Sequence, residues 1–306
     1  QLPILRKDDG QPMCGIVGYT GAERAQGILI EGLTRLEYRG YDSAGVAIQE
    51  GGALEVVCRK GKVGELSRTL EDFDLKGTCG IGHTRWATHG KPSEANAHPH
   101  TSCAGDIAIV HNGIIENFAE LRDELMARGH SFASDTDTEV VAHLVERAYN
   151  GDLREAVVEA TSRLVGAYGL AVVCDREPGT IIVTRKDSPI VVGRGAEGSY
   201  VASDMIAMID ATRDVVVLAD GQTARLTAEG IEYFDEAGEP IEPTVTHVDW
   251  DIDMAEKGGH PDFMLKEIYE QPRVIRDTLA GRLVSGALAI DELDMSPEEL
   301  DLIDRV

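Results

Sequence analysis

The sequence predicts an α+β domain in which helices cover two antiparallel sheets, and three observations carry that expectation. Apolar runs of strand length dominate the first 115 residues, amphipathic helical stretches fill 117–164, and β runs punctuated by Gly and Asp follow from 169. No glycine-rich phosphate fingerprint follows any strand, so no phosphate cradle is expected. At 306 residues, 42% of them hydrophobic, the chain has room for one large domain or two. A net charge of −25 argues against nucleic acid and anionic membranes as partners, since both would repel it. No run approaches the roughly 18 apolar residues of a membrane span and no secretory signal precedes the first strand, so the expected location is cytoplasmic. The five cysteines, 14, 58, 79, 103 and 174, are widely spaced, odd in number and free of any Cys-x-x-Cys pair, as reduced thiols would be.

Residues 1–12 show no helical or strand period and end at Met13, which reads as an initiator, so 1–13 is expected to be a leader or tag plus initiator Met. Cys14 then opens the apolar strand Ile16–Tyr19. It reads either as a small core residue or as a nucleophile whose own α-amine, once free, is its base, because a thiol near 8.5 and an α-amine at about 7.7–8.0 can share a proton. While residues 1–13 stay attached, that nitrogen is an amide and no base, and a poor catalyst is expected.

The stretch 22–36 places Ile28, Leu29, Leu33 and Leu36 on one helical face. Strands over 44–49 and 54–59 flank Glu50-Gly51-Gly52-Ala53, a hairpin signal. Between helix and hairpin, 38–45 is a polar, aromatic, glycine-rich turn that serves either as a connection or as a loop reaching a site. A strand over 78–84 delivers Arg85, whose planar fork suits a carboxylate. After a strand over 107–110, Asn112-Gly113 is either a tight turn or a pair of N–H donors for an oxyanion. Histidines 83, 89, 98, 100 and 111 lack the spacing of a helical metal site, and no metal is expected.

Asn117 with Glu120 reads as a capping box opening a helix whose stripe is Leu121, Leu125 and Met126. The acidic run 134–139 opens the next helix, with Val140, Val141, Leu144 and Val145 inward, and keeps Asp137 ionised, ready for an ammonium. A further helix spans 153–164, and seven short strands from 170 to 234 are expected to form an antiparallel meander. The acidic, aperiodic 248–261 reads as a linker, and 263–279 as helical material of a second domain too short to hold its own core.

Five ordered motifs, 13–18, 39–45, 83–90, 96–100 and 111–113, resemble the class-II glutamine amidotransferase domain, an N-terminal-nucleophile hydrolase. Ile114-Ile115-Glu116-Asn117, Thr136-Asp137-Thr138-Glu139 and 266–272 narrow the resemblance to the glutamine:fructose-6-phosphate aminotransferase family. The resemblance implies a four-layer αββα sandwich over 14–247, and over 248–306 a linker and the truncated start of a sugar isomerase domain. It implies Cys14 as nucleophile, Asn112 and Gly113 as oxyanion donors, Arg85 on the α-carboxylate of L-glutamine and Asp137 on its α-ammonium. Trp86, Thr88 and His89 would line or gate the pocket, and Arg39 would brace the nucleophile. No cofactor is implied; fructose 6-phosphate would bind the second domain, in a homo-oligomer at full length. Another class-II amidotransferase and a catalytically silent glutamine-binding module are the alternatives.

Overall fold

A computed structural model of the chain describes residues 14–86, 90–248, 263–279, 283–284 and 287–288. The chain divides into two compact units, 1–249 and 250–306. In chain order the first runs β1 (Gly15–Gly21), α1 (Ala25–Leu36), β2 (Ser43–Glu50), β3 (Ala53–Lys60), α2 (Val63–Leu70), β4 (Cys79–Arg85), β5 (His100–Thr101) and β6 (Ile107–Ile115). Three helices follow, α3 (Phe118–Ala127), α4 (Glu139–Ala148) and α5 (Leu153–Thr161). The last strands are β7 (Gly166–Cys174), β8 (Ile181–Lys186), β9 (Val191–Arg194), β10 (Gly198–Ala202), β11 (Asp214–Val217), β12 (Thr223–Leu226), β13 (Ile231–Phe234) and β14 (Thr246–His247).

Two antiparallel sheets result, one ordered β14-β11-β9-β10-β1-β4-β2-β3, the other β13-β12-β8-β7-β6-β5. The period of two in the strands sorts their side chains into layers. Ala108 and Val110, Ala171 and Val173, Ile181 and Val183 turn toward the first sheet and meet Ile16, Ala47 and Ile81 there. Their neighbours Ile107, Ile109, Leu170, Val172 and Ile182 face the other way, onto Leu121 and Leu125 of α3, Val140, Val141 and Leu144 of α4, and Ala156 and Val157 of α5. Helices α1 and α2 pack on the first sheet, so the unit is a four-layer αββα sandwich, as the resemblance implies.

Several expectations need correction. The strands after 166 are antiparallel but not one meander: β7, β8, β12 and β13 lie in one sheet, β9, β10 and β11 in the other. Apolar alternation reports which face of a strand is buried and carries no information on its partner, so the crossovers between sheets were invisible. Asn117 does not cap α3; its amide donates to Arg163 O at 2.9 Å and accepts from Val165 N at 3.0 Å, tying the helix start to the turn before β7. Met126 is 55% exposed and leaves the stripe to Leu121 and Leu125. Strand β6 runs through Asn112-Gly113 to Ile115, which rules out the tight turn. Helix α2 was not foreseen, although Val63, Leu66 and Leu70 mark its buried face. The hairpin stands where its signal put it, with Gly51 and Gly52 at φ +60° and +86°.

In the second unit, α6 (Phe263–Leu279) contains Pro272, and β15 (Leu283–Val284) pairs antiparallel with β16 (Ala287–Leu288). The leader at 1–13 and the linker over 249–261 lie outside the described residues. Among the described residues no helix is long and apolar enough to cross a membrane.

Candidate active site

Antiparallel register brings the first site residues to one end of the first sheet. Gly15 of β1 faces Thr84 of β4, and Arg85 faces Ser43 of β2, so Cys14, Arg85 and the loop before β2 share one edge. That loop is held against β4 by a hydrogen bond from Asp42 N to Arg85 O at 3.0 Å. Arg39 donates to Ser203 O at 3.4 Å and Asp204 Oδ2 at 3.3 Å, while the Ser203 hydroxyl accepts from Ile16 N at 3.0 Å. Arg39 is thereby tied to the backbone that follows Cys14. Sequence reasoning missed Ser203 and Asp204, which nothing in a short polar turn distinguishes.

Cys14 is half-buried, and its Sγ accepts from Trp86 N at 3.2 Å and faces Trp86 O at 3.5 Å. Trp86 stacks edge-on with Tyr41, ring centroids 5.6 Å apart. Burial pushes the Cys14 thiol up, opposed by the Trp86 N–H and the Arg85 charge; Asp137 adds to the rise and Arg39 opposes it. Arg85 is lowered by its burial and raised by Cys14, Asp137 and Asp42. These mutual effects place the sulfur, two guanidiniums and one carboxylate within a single electrostatic neighbourhood. Among the described residues, Sγ has no side-chain hydrogen-bond partner.

The other sheet supplies the amide. Asn112 Nδ2 donates to Cys14 O at 3.0 Å, and Asn112 Oδ1 sits 3.0 Å from His83 Nε2. An amide oxygen only accepts, so His83 carries its proton on Nε2 and fixes which end of Asn112 points at Cys14. That positioning role of His83 was not read from the sequence. Gly113 has φ +126°, and a Cβ there would lie 2.1 Å from Ala167 O, so the strand after Asn112 accepts only glycine. Asp137 Oδ2 accepts from Ile115 N at 2.8 Å, which hangs the 134–139 segment on the end of β6. Its carboxylate is therefore no cap of α4; the N-cap position belongs to Thr138.

A layer of buried histidines lies beneath. His83 and His98 stack with centroids 4.3 Å apart, and His98 meets His100 at 4.8 Å. Three of the layer's four histidines are held by hydrogen bonds, His100 Nε2 with Thr136 Oγ1 at 2.8 Å, His111 Nδ1 with Thr138 Oγ1 at 2.8 Å, and His83 Nε2 with Asn112, while His83 Nδ1 and His98 Nδ1 are buried with no hydrogen-bond partner. Burial lowers His83 to about 3 and His100 to about 4, and takes His98 well below its usual value. Through the bonds of His83, His100 and His111 the layer joins β4 to β6, and β5 and β6 to the Asp137 segment. Thr88 and His89 lie outside the described residues. Arg39, Arg85, Trp86, Asn112 and Asp137 gather around Cys14, and Gly113 follows Asn112 on β6.

Residues 83–210 match the family model described as "Glutamine amidotransferase domain". The chain is 48% identical over 295 residues to a glutamine–fructose-6-phosphate aminotransferase (isomerizing) of Clostridium acetobutylicum, covering 96% of this chain and 48% of that protein. It is 51% identical over 296 residues to the namesake of Symbiobacterium thermophilum, covering 96% and 49%. It thus spans about half the length of the curated relatives it matches. Among solved structures, the glutamine phosphoribosylpyrophosphate amidotransferase of B. subtilis superposes with a TM-score of 0.65 at 28% identity, over 74% of this chain and 50% of that one. A glutamine aminotransferase class-II domain protein from Silicibacter pomeroyi has the same fold, TM-score 0.51 at 17% identity, over 72% of this chain and 99% of that one.

Proposed function

Because the chain carries a glutamine amidotransferase domain of the class-II fold, we propose that it hydrolyses L-glutamine to glutamate with Cys14 as the nucleophile and passes on the ammonia. The observation that carries this reading is the surrounding of Cys14: a thiol raised by burial, backed by Arg85, Arg39 and Asp137, with the Asn112 amide on its carbonyl. A zwitterionic amino acid complements that set. Its carboxylate pairs with the Arg85 fork and its ammonium with Asp137, which leaves the side-chain amide toward the sulfur.

Sγ then attacks the amide carbon, and its proton passes to the α-amine of Cys14 once the 13–14 peptide bond is cut. The carbonyl electrons move onto oxygen, where the second N–H of Asn112 Nδ2 and the Gly113 N–H receive them. As the tetrahedral adduct collapses, the amine returns the proton to the departing nitrogen, ammonia leaves and a glutamyl thioester remains. Water, deprotonated by the same amine, releases glutamate and restores the thiol. Trp86 stands against the sulfur, the resemblance assigns Thr88 and His89 with it to lining or gating the pocket, and Arg39 holds the backbone after Cys14. In the complete protein, whose second domain starts in 248–306, the ammonia goes to fructose 6-phosphate to give glucosamine 6-phosphate, in a cytoplasmic homo-oligomer.

The test is ammonia release from glutamine by protein cleaved to begin at Cys14, compared with the 306-residue chain that keeps 1–13. Turnover only in the cleaved form is expected. Equal turnover in both would remove the α-amine from its role, and turnover in neither would favour the silent glutamine-binding module. In the cleaved form, Asn112→Ala is expected to lower kcat about 10²–10³-fold with KM nearly unchanged, because an oxyanion donor acts only as charge develops. A loss confined to KM would assign Asn112 to substrate binding instead.

A further inference from the structure

Away from Cys14, on the outer side of the second sheet, four side chains of metal-ligating type converge. We propose that Cys103, His130, His143 and Glu146 form a structural zinc site. One donor atom from each lies within 4.8 Å of all the others. They come from three segments: Cys103 from the turn between β5 and β6, His130 from the loop after α3, and His143 with Glu146 at i,i+3 on α4. The spacing on α4 puts an imidazole and a carboxylate on one helix face.

Four of the six distances between the donor atoms match those of ligands around a tetrahedral zinc ion, and the other two are within 4.8 Å. With Zn–S about 2.3 Å and Zn–N and Zn–O about 2.0–2.1 Å, tetrahedral ligands stand roughly 3.5 Å apart for S and N, and roughly 3.3 Å for N and O. Cys103 Sγ lies 3.6 Å from His130 Nδ1 and 3.5 Å from His143 Nδ1. Glu146 Oε2 lies 3.2 Å from His130 Nδ1 and 3.6 Å from His143 Nδ1.

A thiol–imidazole–carboxylate hydrogen-bond network is a poorer account of the same atoms. Hydrogen bonding leaves Glu146 Oε2 buried without a partner although two imidazole nitrogens face it at 3.2 and 3.6 Å. The other Glu146 oxygen is occupied, accepting from Ala104 N at 3.0 Å. His143 is 1% exposed, and its far nitrogen, Nε2, is buried without a hydrogen-bond partner, 3.6 Å from Glu139 Oε1. Glu139 itself accepts from the backbone N–H groups of Ala133 and Ser134, both at 2.7 Å. A bound ion would therefore staple the β5–β6 turn and the 130–134 loop to α4, the helix that follows Asp137. The ligands are scattered over 103–146 and share no short motif with the histidines weighed from the sequence, which explains why no metal was expected there.

The experiment uses the 306-residue chain without a histidine tag, expressed with added zinc, exhaustively dialysed, and analysed for metal by mass spectrometry. One zinc per chain is expected, with Cys103→Ser and His130→Ala each weakening retention at least about 100-fold in competition with a chromophoric chelator. Both positions lie at the rim, so these variants fold even where His143→Ala does not. Cobalt(II) added to the metal-free protein should give intense tetrahedral d–d bands and a thiolate charge-transfer band that Cys103→Ser abolishes. Chelation should lower the Tm of the wild-type chain and leave that of Cys103→Ser unchanged. Zinc retention equal in wild type and Cys103→Ser, or a weak octahedral cobalt spectrum, overturns the proposal. Neither result bears on glutamine hydrolysis, whose failure is read from ammonia alone.

Discussion

Replacing Cys14 by alanine in protein that begins at residue 14 is expected to lower glutamine turnover at least about 10⁴-fold while leaving thermal unfolding within a degree or two of wild type. Removing a nucleophile removes the covalent route entirely, and what survives is the contribution of binding and oxyanion donors to attack by water. The fold should tolerate the change because Cys14 is only half-buried and precedes β1, and the sulfur's two hydrogen bonds both go to the backbone of Trp86. Turnover within tenfold of wild type would dismiss Cys14 from the chemistry. A large loss of Tm would instead mean that the thiol is a packing residue of the sheet edge. The pH profile adds a second readout. Burial holds the thiol up, so it stays protonated at neutrality and the rate should follow the titration of the α-amine.

Unfolding free energy is expected to fall by at least about 4 kcal/mol between pH 7.5 and pH 5, measured by urea titration, because of His83 and His100. Both are neutral in the fold, lowered by burial to about 3 and about 4, whereas the unfolded chain takes up their protons near pH 6.5. The unfolded state therefore binds more protons throughout that interval, so stability is complete above the unfolded value and is lost as pH falls toward the folded ones. At pH 5 each histidine accounts for about 2 kcal/mol. His98, lowered further still by burial and by His83, steepens the same limb. Burial raises Glu139 but the neighbouring His143 and hydrogen bonds from Ser134 and Ala133 take it to about 2, so its contribution is lost only below about pH 4.5. The interval from 6.5 to 4.5 thus belongs to the histidines. Relief of self-repulsion in a chain of net charge −25 acts oppositely, but at 0.15 M salt a Debye length of about 8 Å keeps it small. A flat profile from pH 7.5 to 5 would mean that the histidine layer is open to water.

The sequence made the strands and helices legible wherever a period was strong. Ile107 to Val110, the Gly51-Gly52 hairpin and the Val140–Val145 face all sit where alternation or helical spacing put them. Pairing was not legible. Nothing in the residues 166–234 tells β8 to stay in one sheet and β9 to cross to the other, because both strands are buried on both faces by similar aliphatic side chains. The site was legible as chemistry before it was legible as geometry: a thiol, a guanidinium, an amide and a carboxylate were named from residue type and motif. The elements that hold them escaped, since His83, Thr136, Thr138 and Ser203 act through single hydrogen bonds between segments 27 to 187 residues apart. The four residues 103, 130, 143 and 146 escaped for the same reason, each being unremarkable in its own segment.

The proposed nucleophile and the proposed oxyanion donor come from different sheets of the sandwich: Cys14 precedes β1, Asn112 belongs to β6, and Ile16, Ile81, Val110 and Ala171 fill the space between their sheets. On the proposed mechanism, the gap that the reaction spans is gauged by aliphatic volume. A methyl group gained or lost in that filling alters the clearance between attacking atom and charge acceptor, as a shim alters the clearance between two plates. Interior residues with no chemistry of their own would thereby hold a setting of the proposed reaction's rate.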